Sequence, residues 1–161
     1  MKKIGIIVGF VIIFFLVEFF IYNLFGQNFT PNFLFLLVIF FNLYLGIRYS
    51  LFIAIVAGLL MDSVHSSNWG IEIFSFVICA YMTIIFKQYL FHMGSRATRL
   101  LLVFLVTTFY VVIQGLLRLM NTPIHFTEVF YFVYLPIVIS TLIATNLTFR
   151  FLRKCVSRLS V

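Results

Sequence analysis

The chain has 161 residues, 64% of them hydrophobic and only 9% charged, and carries a formal net charge of +7. A soluble domain carries roughly 25% charged residues, so there is too little polar surface here to cover an exterior facing water. Three Pro, eight Gly and two Cys also exclude collagen-like, disordered and disulfide-scaffold chains, and lipid is left as the solvent.

Crossing a bilayer core about 30 Å thick takes roughly 20 mostly apolar helical residues. The sequence predicts an all-α integral membrane protein. Its single domain, 1–161, is a bundle of six transmembrane helices over residues 4–25, 33–47, 49–62, 70–91, 100–120 and 129–151. Lys2 and Lys3 precede the first span, whose apolar run exceeds the roughly 7–15 residues of a signal-peptide core, so a retained helix is expected. Glu18 interrupts this span about 21 Å into the core, counted at about 1.5 Å per residue from Ile4. At that depth it must face protein or water, or be protonated. It is read either as a contact for an ion, substrate or partner, or as a hydrogen bond to a neighbouring helix.

The second and third spans are short, and residues 33–61 could instead form one long helix. Charge decides between the two. Six spans with an inside N-terminus place ten of the eleven basic residues in the cytoplasm and leave only Arg118 outside. Five spans would export the C-terminal basic residues and bury Arg48 at a cost of about 2.5–3.5 kcal/mol. Both termini are therefore expected in the cytoplasm. Gly5 with Gly9, and Ala54 with Gly58, are small-residue pairs suited to close helix packing.

The fourth span repeats Glu72, Ser75, Cys79 and Thr83 along one face, and the fifth repeats Thr107, Tyr110, Gln114 and Arg118. Two such stripes imply adjacent helices joined by hydrogen bonds away from lipid. Pro136 is expected to bend the sixth span, with Ser140 and Thr141 helping to satisfy its backbone. Arg150, Arg153, Lys154 and Arg158 follow as a juxtamembrane cluster suited to anionic lipid headgroups. All four acids, Glu18, Asp62, Glu72 and Glu128, fall toward the outer half, and any of them could pair with Arg118.

His65, His92 and His125 lack metal-ligand spacing, and no Walker loop, nucleophile elbow or paired catalytic carboxylate occurs. No enzyme chemistry, cofactor or metal is expected. The longest predicted loop is too short to fold as a domain that could grip nucleic acid.

Pro31-Asn32-Phe33-Leu34 opens the second span, Gly58-Leu59-Leu60-Met61-Asp62 closes the third, and Trp69-Gly70 precedes the fourth. In size, predicted topology and the order of these motifs the chain resembles MreD, the bacterial rod shape-determining membrane protein family. The resemblance implies a non-enzymatic subunit of the cell-elongation machinery. Such a subunit binds MreC directly and reaches MreB, RodA and a penicillin-binding transpeptidase through the complex. It also implies a fold similar to the substrate-binding subunit of energy-coupling-factor transporters. Pro31, Gly58, Asp62 and Gly70 are then candidates for shaping a partner-docking surface. Gly58 would admit a close helix, Asp62 would accept hydrogen bonds from the following loop, and Gly70 would allow the turn. The plain alternative is that Asp62 only marks the membrane boundary. A different function class stays open: a vitamin-like capture subunit of a transporter, with Glu18, Glu72, Gln114 and Arg118 lining an outward-facing pocket. A small channel or ion carrier is a fainter third reading.

Overall fold

Long runs of Leu, Ile, Val and Phe without internal Pro or charge favour helices, because in lipid a helix pairs its own backbone groups. A computed structural model describes residues 2–25, 31–64, 70–90, 96–119 and 135–157. Six helices make up this part: α1 Lys2–Phe25, α2 Phe33–Tyr44, α3 Ile47–Val64, α4 Ile71–Leu90, α5 Arg96–Leu119 and α6 Leu135–Ser157. Among the described residues, five of these are long and apolar enough to cross a membrane. The exception is α2.

With 12 residues, α2 is about 18 Å long, short of the roughly 30 Å that a crossing helix covers alone. The run expected over 33–47 ends early because the Gly46 amide turns back to the Phe41 carbonyl at 3.1 Å, and α3 begins at Ile47. Every residue of α2 from Leu34 to Leu43 is buried. A helix that is apolar all round belongs inside a bundle. Accordingly α2 packs against α1, α3, α4 and α6, while α3 also meets α1 and α4, and α5 joins α4 to α6. A short central helix is therefore packed against four longer ones, and its Phe35 also meets Tyr110 of α5.

Aromatic side chains fill the contacts. Phe35 of α2 packs against both Phe76 and Tyr110, with ring centroids 5.8 and 4.7 Å away, and Phe40 meets Phe149 edge-on at 5.3 Å. Ile13, Leu16, Phe20, Leu59, Phe74 and Ile143 point outward, as an exterior solvated by lipid requires. Pro136 lies in the first turn of α6, where the missing amide costs no intrahelical bond. Ser140 Oγ donates to the Ile137 carbonyl at 3.0 Å.

Candidate functional site

The start of α2 sets the chemistry of one end of the bundle. The first amides of any helix lack intrahelical partners. Here they are buried beside α1, which continues seven residues beyond Glu18, about 10 Å farther toward the same end. Water does not serve these amides; side chains do. Glu18 Oε2 accepts from the Leu34 amide at 3.0 Å, and Asn32 Oδ1 accepts from Phe35 at 2.8 Å. The Asn32 carbonyl takes the Leu36 amide at 3.2 Å. A carboxylate at a helix N-terminus also meets the positive end of the helix dipole.

Asn32 links this cap to the next layer. Its Nδ2 donates to Tyr110 Oη at 3.0 Å, Tyr110 donates to Glu72 Oε2 at 2.8 Å, and Gln114 Nε2 donates to Tyr110 at 2.7 Å. A phenol offers one donor and two acceptor positions, and these three bonds use them all. Glu18, Asn32, Glu72 and Tyr110 are buried and Gln114 is half-buried. Glu18, Glu72 and Gln114, separated by up to 96 positions in sequence, thus share one polar cluster made by α1, α2, α4 and α5.

The hairpin of α3 and α4 is built by two other side chains. A Cβ placed on Gly58 would lie 2.5 Å from the Ile73 Cα and 2.9 Å from its nitrogen, so the two backbones meet there as only glycine allows. One turn later, Asp62 Oδ1 accepts from the Glu72 amide at 3.1 Å and Oδ2 from Ile73 at 3.3 Å. Asp62 is buried at 2% exposure, and among the described residues its partners are these two amides in the first turn of α4. Gly70, at φ +94°, supplies the reversal just before that turn. Pro31 is half-buried ahead of the α2 cap.

Of the two polar stripes, Glu72, Ser75, Cys79, Thr83, Thr107 and Tyr110 are buried and Gln114 is half-buried, and most of their bonds stay within one helix. Thr83 bonds the Cys79 carbonyl and Thr107 the Val103 carbonyl, each within its own helix. The Tyr110–Glu72 bond is the direct link between the stripes that the described side chains make. Gly5 and Gly9 are suited to seat a helix of this chain or of a partner; among the described residues no other helix of this chain comes within 4 Å of the place a Cβ would take on either. The Arg118 and Arg158 side chains and all of Glu128 lie outside the described residues.

Positive charge gathers at the opposite end. Lys87 Nζ donates to the Leu43 carbonyl at 3.0 Å, giving the C-terminus of α2 a cation. Arg153 donates to Tyr44 Oη through Nη2 at 3.0 Å and Nε at 3.2 Å, with its guanidinium 5.7 Å from the ring centre. Arg150, Arg153 and Lys154 lie on α6 itself, which runs to Ser157, past the expected end of the span at 151. Glu18, Asp62 and Glu72 therefore stand at one end and Lys87, Arg150, Arg153 and Lys154 at the other.

Sequence reasoning did not assign Asn32 and Lys87 to the site. Asn just before an apolar run is a recognisable N-cap signal, whereas nothing in the sequence pairs Lys87 with Leu43, 44 positions away. Among the described residues no group of three or more His, Cys, Asp or Glu is placed to hold a metal ion. No curated protein and no solved structure matches the chain. The family described as rod shape-determining protein MreD matches residues 2–155. With nearly the whole length covered, this multi-pass helical membrane protein belongs to the MreD family.

Proposed function

We propose that this rod-shape membrane protein is a non-enzymatic scaffold of the cell-elongation machinery that binds MreC through its transmembrane helices. MreB, RodA and a penicillin-binding transpeptidase join through that complex. In this reading the acidic end faces outward from the bacterial inner membrane. The basic end and both termini lie in the cytoplasm, following the bias of Lys and Arg toward the inside. Anionic headgroups would meet the basic end.

The observation that carries the reading is the α3–α4 hairpin, fixed by the Gly58–Ile73 contact and the two Asp62 hydrogen bonds. Such fixing holds the hairpin's acidic end in one shape, which is what a docking surface for a membrane partner requires. The buried polar groups also favour a scaffold over a capture subunit. Glu18, Glu72 and Gln114 make their hydrogen bonds to a helix terminus and to Tyr110, inside the bundle.

Co-expression with MreC and copurification in mild detergent tests the proposal. Wild type should retain MreC, and Asp62→Ala should lose most of it while staying at normal membrane level. Asp62→Asn, which keeps one carbonyl acceptor, should lose less. Wild-type-like retention of MreC by a well-expressed Asp62→Ala protein would remove the hairpin from the interface.

A further inference from the structure

Among the described residues, the faces of α1 and α6 leave a space between them. Between α1 and α6 runs a groove of about 1030 Å³ whose walls include Ile13, Val17 and Ile21 on one side and Leu147 and Phe151 on the other. Arg150, Arg153 and Lys154 line its end at the basic side of the bundle. Spacings of three and four residues put these cations on neighbouring turns of α6. Arg150 and Arg153 also line a smaller pocket of about 110 Å³ between α5 and α6, with Arg99, Thr145 and Asn146. Tyr44 holds Arg153 in place between the two.

We propose that this groove is a binding site for one anionic phospholipid, with its acyl chains between α1 and α6 and its phosphate at Arg150, Arg153 and Lys154. Two observations select this occupant. Apolar walls ending in three cations complement an anionic amphiphile, whereas a neutral transmembrane helix has no use for the charges. Length agrees. Phe33, the first residue of α2, lines the far end of the groove, and Arg153 lies beside Tyr44, the last. The groove thus follows the roughly 18 Å of α2, close to one leaflet of a core about 30 Å thick. A crossing helix would need the full thickness.

Native mass spectrometry of the full-length protein in neutral detergent tests this, with phosphatidylglycerol and phosphatidylcholine of identical chains as probes. One phosphatidylglycerol should be retained at least tenfold better than phosphatidylcholine. The triple variant Arg150→Gln, Arg153→Gln, Lys154→Gln should lose that preference. Leu147→Trp fills the groove wall and leaves the charges alone; it should release the retained lipid if the chains lie there. Gel filtration reports whether each variant is folded, and the wild-type comparison stands without them. Equal retention of the two lipids, or multiple phosphatidylglycerols without one tight site, overturns the proposal. So does undiminished retention by a folded Leu147→Trp protein. A second copy or MreC bound in place of lipid, and lost in Leu147→Trp, assigns the groove to a helix instead and equally overturns it.

Discussion

Glu18 of α1 accepts a hydrogen bond from the Leu34 amide at 3.0 Å, so an acid of the first helix caps the second. Leu34 is fully buried and Glu18 is 5% exposed, which leaves that amide no water to turn to. Replacing Glu18 by Ala strands a buried donor at a cost of about 1–3 kcal/mol. Glu18→Gln keeps an acceptor and should lose less than half as much. Unfolding in mixed micelles of mild and denaturing detergent reads the difference, and equal losses for Ala and Gln would disprove the capping role.

Gly58 presses α3 onto the backbone of α4 at Ile73. A methyl group there must push one helix aside, and overpacking of this kind costs about 1–3 kcal/mol. Gly58→Ala should therefore destabilise the protein and lower its membrane level. Gly9→Ala, with open space around it, should be neutral or gain up to about 1 kcal/mol from helix propensity. Matched melting curves of the two variants provide the check; similar behaviour would contradict the close approach.

Tyr110 connects Asn32, Glu72 and Gln114 through one hydroxyl. Tyr110→Phe removes all three bonds and keeps the ring against Phe35 and Phe76. Its cost should be about 1 kcal/mol, since two of the three bonds join α5 to other elements, where such bonds average about 0.6 kcal/mol each, and the Gln114 bond stays within α5. Combined with Glu72→Leu, which leaves no acceptor, the losses should fall short of additive, because both changes break the same bond. A double-mutant cycle that closes with no coupling would separate the two residues.

Lys87 holds the last turn of α2 through the Leu43 carbonyl. Lys87→Met removes the cation from the negative end of the helix dipole, at about 0.3–1 kcal/mol. Hydrogen exchange at the end of α2 should quicken by roughly two- to fivefold, while exchange at the Glu18 end stays as in wild type. Uniform change along α2 would point to global loosening and not to a local cap.

Composition and periodicity decide much of this protein on their own. The scarcity of charge dictates lipid as the solvent, apolar runs between polar breaks dictate helices, and the basic residues dictate one-sided ends. These are properties of local segments, and the physics behind them acts on segments. The motif around Gly58 and Asp62 is legible for the same reason, being confined to one hairpin. Tertiary structure alone decided that α2 is a buried hub, that Glu18 caps it, and that Tyr110 joins Asn32 to Glu72. An unpartnered amide becomes costly only where neighbouring helices have excluded water, and which side chain can reach it depends on how those helices pack. That packing brings Glu18 to Leu34 and Lys87 to Leu43, pairs that no spacing in the chain connects.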